Sequence, residues 1–144
     1  MSHARKLHAH ISSQSGLISP SDLLTNRSYE PLRAELLSLG RKIKKERRLR
    51  LGQHLSILFE TRFTAWLQIQ EEQRWTAAPR PDQISDILRR YNCLVGRPGE
   101  IRASLFIDST DPVVVERYAT SLNVRRLQIR MRLAGWTMTT HSVE

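Results

Sequence analysis

Apolar and polar residues alternate in two arms within Leu49–Gln70, read LRLGQHLSILFETRFTAWLQIQ. In the first arm Leu55, Ile57 and Phe59 share one side, with His54, Ser56 and Glu60 on the other. In the second, Phe63, Ala65, Leu67 and Ile69 share one side, with Thr64, Trp66, Gln68 and Gln70 opposite. A period of two with β-branched and aromatic residues marks a half-buried strand, so the pattern predicts a hairpin over Leu51–Gln70 turning at Glu60–Arg62. A third alternating run, Ile101 to Ile107, predicts another strand, and Val124 to Leu133 a fourth. Trp136–Thr140 adds a candidate short strand.

Between these runs the period changes to that of a helix. Leu32, Leu36, Leu39 and Ile43 form one stripe, and Ile84, Ile87, Leu88 and Tyr91 another. Ser19-Pro20-Ser21-Asp22 predicts a helical turn ending near Leu24. Asn26 or Ser28 is the expected cap of the next helix, with Pro31 tolerated in its first turn. Ala77–Pro81 reads as a break, and Asp111-Pro112 as the start of a helix to about Leu122. Residues 1–18 show no periodicity and read as a loose arm ahead of a single domain, 19–144. The fold class is α+β: a mostly antiparallel four- to five-stranded sheet with helices on one face. Leu32, Leu36, Leu39, Ile84, Leu88, Tyr91 and Tyr118 are the residues expected to pack on that sheet.

Charge narrows the partners. The chain carries 23 Lys+Arg against 14 Asp+Glu, a formal net charge of +9. Such a balance calls for an anionic partner: nucleic acid, an acidic protein or peptide, or a membrane surface. Seven cations fall within ten residues: Arg41, Lys42, Lys44, Lys45, Arg47, Arg48 and Arg50, with Glu46 the one acid. Cations suit a helix C-terminus, but seven exceed what the dipole needs, so the run is a candidate anion-binding patch. Arg126, Arg130 and Arg132 share one face of the predicted fourth strand. Guanidinium forks at that spacing suit carboxylates of an extended acidic peptide, with Trp66 and Gln68 as further candidate contacts. One cysteine, Cys93, excludes an internal disulfide and points to a reducing cytoplasm. No run approaches the ~18 apolar residues of a membrane span, and the N-terminus lacks the apolar stretch of a secretory signal.

Catalytic chemistry finds no pattern here. His3, His8 and His10 lie on the presumed arm, which cannot fix metal geometry. His54, Ser56 and Glu60 form a row rather than a triad. Cys93 near Arg89, Arg90 and Arg97 has no readable histidine partner. No phosphate loop, dinucleotide fingerprint or zinc spacing occurs, and no cofactor is implied.

Several short pieces, in order, carry a family resemblance. They are Tyr29, Leu32-Arg33 and Glu35; Leu51-Gly52; Leu58-Phe59-Glu60-Thr61-Arg62; Gln68-Ile69-Gln70-Glu71; Tyr91-Asn92; and Gly99-Glu100 leading the strand to Asp108. Over about residues 22–133 the chain resembles the bacterial family called domain of unknown function 3501. It departs where the family's helix continues with a Met-Leu-Arg-Ala-Glu type run, here Glu72-Gln73-Arg74-Trp75-Thr76, and in its shorter C-terminal part. The resemblance implies a small bacterial protein encoded among metal- and redox-enzyme genes.

Two functions remain. The first is a non-catalytic accessory subunit that binds a partner enzyme, an iron enzyme among the candidates, or the acidic peptide that enzyme modifies. The second is a nucleic-acid binder that does not read sequence, supported by the cationic run. The strands lack the aromatic pair of an RNA-recognition sheet, and no helix-turn-helix is spelled out, so the first is preferred.

Overall fold

The structure is a computed structural model that describes residues 1–123 and 130–139. Its core is built around one helix, α3 (Arg62–Arg74). Thr61 and Thr64 start it by reciprocal capping: the Thr64 N–H donates to Thr61 Oγ1 (3.1 Å) and the Thr61 N–H to Thr64 Oγ1 (2.8 Å). Three helices enclose it: α1 (His3–Ser13), α2 (Asn26–Glu46) and α4 (Pro81–Tyr91). Phe63, Ala65, Trp66 and Ile69 are fully buried, and so are the polar Thr64 and Gln70. Trp66 stacks on Phe63 at 6.0 Å between ring centroids and meets Tyr29 of α2 edge-on at 6.2 Å.

The second arm of the expected hairpin, residues 63–70, is therefore helix. A helix covered on nearly every side has no polar face, so the 3.6 period vanishes from its sequence. What is left there is a chance alternation that resembles a strand.

Residues 1–18 also differ from expectation. Ser2 Oγ accepts the Arg5 N–H (3.3 Å) and caps α1. Ala4 and Ile11 are buried in the core cluster, with Leu7 packed against it. These three share one helical face, but histidines and short polar residues dilute the stripe. The following loop is also docked, with Ile18 buried and hydrogen-bonded through its backbone to both ends of the Asn92 side-chain amide. Helix α2 is capped by Thr25, whose Oγ1 accepts the Ser28 N–H, and it starts early enough to place Pro31 inside it rather than in its first turn.

Three strands make an antiparallel sheet in the order β1 (Arg48–Leu51), β2 (Leu55–Phe59), β3 (Ala103–Ile107). The hairpin turn is at residues 52–54, where Gly52 takes φ +72°, and not at 60–62. Helix α5 (Pro112–Asn123) follows, with the Val113 N–H bonded to Asp111 Oδ1 at its start. Strands β4 (Arg130–Leu133) and β5 (Trp136–Thr139) form a separate two-stranded sheet, turning through Ala134 and Gly135, both at positive φ. The fold is thus α+β; among the described residues the strands divide three and two, and the expected single sheet of four to five strands is not found. Residues 124–129 of the expected fourth strand lie outside the described residues. The helical stripes also find a different partner. Leu36 and Leu88 are buried with α3, and Leu32, Leu39, Ile84 and Tyr91 pack against the same cluster instead of covering a sheet. Tyr118, on α5, does approach the three-stranded sheet, its ring 6.2 Å from that of His54.

Candidate functional site: a cationic helix end and an open strand edge

The last turns of α2 run directly into β1 through Arg47. Its N–H bonds the Ile43 carbonyl (3.1 Å), and its own carbonyl accepts the Phe59 N–H (3.1 Å). One residue thus closes the helix and opens the sheet, and the cationic run is divided between the two. Arg41, Lys42 and Lys45 are exposed on α2, Lys44 is half-buried, and Arg47, Arg48 and Arg50 are exposed beyond it.

These cations are poorly neutralised. Arg48 lies over the Phe106 ring (4.3 Å to the centroid), donates to Ser56 Oγ (3.2 Å) and sits 3.6 Å from Asp108. Arg47 Nε donates to the Phe59 carbonyl and an Arg50 terminal nitrogen to that of Gln53. Among the described residues no carboxylate is within 4.0 Å of Arg41, Lys42, Lys44, Lys45, Arg47 or Arg50. Several arginines elsewhere are paired: Arg33 with Glu71, Arg62 with Asp22, Arg74 with Glu30, Arg90 with Glu72.

The backbone of β1 is equally open. The Phe59 N–H donates to Arg47 O, which makes residues 47 and 59 a hydrogen-bonded pair. Such pairs alternate along an antiparallel ladder, so Leu49 and Leu51 bond β2. Arg48 and Arg50 turn their N–H and C=O groups outward. Nothing pairs with that edge among the described residues. On the sheet face shared by Arg48 and Arg50 lie Ser56, Leu58, Ser104 and Phe106. On the other face Leu105, Ile57 and Leu49 form one row, from Ile57, 7% exposed, to Leu49, 51% exposed at the edge.

The remaining candidates are scattered. Trp66 is 0% exposed and its Nε1–H donates to the Asp22 carbonyl (2.8 Å), so it is a core residue and not a contact surface. Gln68 is half-buried on α3, not on a strand face. Arg130 and Arg132 stand in β4, opposite Thr139 and Thr137, in the separate hairpin. Arg126 lies outside the described residues. The arginine row is therefore not on the sheet that carries β1.

The row His54, Ser56 and Glu60 splits into three settings. His54 faces Tyr118, Ser56 accepts from Arg48, and Glu60 accepts from Thr64 Oγ1 (2.7 Å) and Ser104 Oγ (2.5 Å). Glu60 also lines a cleft of about 320 Å³ with Arg47, Arg97 and Arg102, at the end of the sheet where β2 passes into α3. Sequence alone did not bring these together, because Ser104 of β3 and Arg102 just before it lie more than forty residues away. Cys93 is exposed and its thiol donates to the Arg90 carbonyl (3.1 Å). His8 packs edge-on against Phe63 (4.5 Å), and His3 and His10 are exposed. Among the described residues no three His, Cys, Asp or Glu side chains are grouped to hold a metal, and no helix is long and apolar enough to cross a membrane.

A half-buried ion pair joins α2 to α3. Arg33 hydrogen-bonds Glu71 through two nitrogens (2.8 and 2.7 Å), and the Tyr29 hydroxyl donates to the same carboxylate. The Arg33 bonds keep the Glu71 carboxyl below its ordinary range against the opposing effect of burial. Burial, and then the bond to Glu71, push the Tyr29 hydroxyl up.

Comparisons with known proteins bear on the fold. The curated proteins include no match. A crystal structure of a protein of unknown function from Burkholderia pseudomallei K96243 is similar, at 26% identity and a TM-score of 0.63. The match covers 74% of this chain and 58% of that one, so this chain spans less than two thirds of its relative. The model of the family "Protein of unknown function (DUF3501)" matches residues 17–140. The chain belongs to that family.

Proposed function

We propose that this protein is a non-catalytic accessory subunit that binds an acidic segment of a partner, either an enzyme or the peptide that enzyme modifies. The observation that carries this reading is the unpaired cationic run at the end of α2 and in β1, next to an open strand edge. Among the described residues six of these seven cations have no carboxylate within 4.0 Å, while Arg33, Arg62, Arg74 and Arg90 are each paired, so the run stays available to an external anion. A partner carboxylate that meets these cations in a contact open to solvent leaves them largely hydrated, so the desolvation cost is small and the contact gives specificity and association rate more than raw affinity.

Nucleic acid is the competing partner, since the phosphate backbone also seeks rows of Lys and Arg. Against it, Trp66 is in the core, and Phe106, the exposed aromatic on the face of Arg48 and Arg50, already has the Arg48 guanidinium over its ring. The test is binding of a poly-glutamate-rich peptide and of random single-stranded RNA, with wild type and an Arg41/Lys42/Lys45→Gln variant. All three positions are exposed, so the variant folds. The proposal expects peptide binding at physiological salt that drops in the variant, and weak RNA binding. Tight RNA binding at that salt, with no peptide binding, sinks the proposal.

A further inference from the structure

Among the described residues no strand pairs with β1 on its outer, most cationic side, and the two faces of the sheet end differently there. The apolar row Leu105–Ile57–Leu49 stops at β1 with Leu49 half exposed. The rows on the other face stop at Arg48 and Arg50, both exposed. Between them, Arg48 and Arg50 offer two backbone N–H and two C=O groups to the open side.

We propose that β1 captures an extended peptide in which acidic and apolar residues alternate, added as a fourth strand beside Arg48–Leu51. This deepens the accessory-subunit reading and rests on it. An added strand lies roughly 4.8 Å away, and its side chains alternate between the faces as those of β1 do. Side chains directly opposite one another across a pair interact, and opposite charges stabilise the pairing. A carboxylate therefore belongs across from Arg50 and another across from Arg48, where it competes with the 3.6 Å contact to Asp108. An aliphatic residue belongs across from Leu49. In antiparallel addition that position is the close, non-hydrogen-bonded kind, which favours side-chain contact.

The opposite edge does not fit the same ligand. In β3 the outward-turned residues are Ala103, Leu105 and Ile107, which offer no cation.

The test uses the full chain and synthetic eight-residue peptides of one composition, four Asp and four Val. One alternates Asp and Val; the other places them in two blocks. A second pair carries the alternating sequence with N-methyl groups on every second amide, in either phase. Binding is measured by calorimetry or fluorescence anisotropy across a salt series. Two lost edge hydrogen bonds correspond to about tenfold in affinity. That figure applies to the methylated peptides; the inference expects the alternating peptide to bind about threefold tighter than the block isomer, which keeps the backbone bonds but cannot match Arg48, Leu49 and Arg50 together. It expects methylation in one phase to abolish that advantage and in the other to leave it. Leu49→Ser, an exposed change, should reduce the advantage with the cations intact. Equal, salt-sensitive binding of both isomers would overturn strand addition and leave the acidic-partner reading standing. No binding of either peptide, with tight binding of RNA, would overturn both.

Discussion

Arg62 is the clamp that ties the N-terminal segment to the central helix, and Arg62→Met is the change that exposes its role. Its guanidinium is 3.0 Å from Asp22 Oδ2 and donates to the carbonyls of Gly16 (3.2 Å), Ile11 (3.3 Å) and Leu17 (3.5 Å). The two side chains are only 8% and 15% exposed. Methionine keeps the aliphatic stem but leaves the carboxylate and three carbonyls without this donor. Breaking a buried pair from one side costs ~3–5 kcal/mol. Asp22 keeps the Ser19 N–H (2.7 Å) and Oγ (2.9 Å), so the lower end, about 3 kcal/mol, applies. Asp22→Asn, which keeps oxygen and carbonyl partners, should cost less, about 1–2 kcal/mol. Burial opposes ionisation of Asp22, but the Ser19 bonds and Arg62 bring its folded carboxyl below the usual value. A depressed folded value contributes stability above the unfolded pKa of ~3.9 that is lost as pH falls through the folded one. The gap between wild type and Arg62→Met should therefore narrow under acid. Urea unfolding gives the stability change, and amide exchange reports on α1, whose protection should fall more than that of α4. A loss under about 1 kcal/mol, or unchanged exchange in α1, would refute the clamp.

Two further changes test the packing. Gly40→Ala would normally gain ~1 kcal/mol in a helix, but the added Cβ would sit 2.4 Å from Leu67 Cδ2, so a lower melting temperature is expected; a higher one would show that Leu67 moves aside freely. Glu71→Gln removes a carboxylate held below its normal range chiefly by Arg33, whose stabilisation is present above ~4.3 and lost as pH falls through the lowered folded value; the variant should be less stable at pH 7 and the gap to wild type should narrow under acid, and parallel melting curves across an acid titration would contradict the assignment.

Legibility in the sequence followed burial. Helix α4 has one wet face, and its stripe Ile84, Ile87, Leu88, Tyr91 gave its position directly. Strands β2 and β3 and the helix after Asp111 were readable in the same way, from alternation and from the cap before Pro112. The centre of the fold was not. Helix α3 hides Trp66, Thr64 and Gln70 together with its aliphatic residues, so no periodicity marks it as a helix. Its polar residues are buried because they have work on the backbone: the Leu24 N–H donates to Gln70 Oε1 (2.8 Å), and Gln73 Nε2 donates to the Leu24 carbonyl (3.1 Å). Misreading α3 displaced the hairpin turn and left the stripes on α2 and α4 with the wrong partner. Within the site, the cationic run was plain from composition, but the open edge depended on which strand pairs with which, a long-range fact.

That strand order also sets a sequence of events for the emerging chain. Helices α1 to α4 all precede β3 in the chain, and β1 pairs with β2 across a three-residue turn. Strand β3 reaches β2 only after α3 and α4 intervene. Local contacts form faster than those that close long loops. On the ribosome, β2 is therefore complete and bonded on one side while its partner is still unsynthesised. During that interval Ser56 and Leu58 present unpaired backbone to the cell, and β3 has to reach them before another chain does.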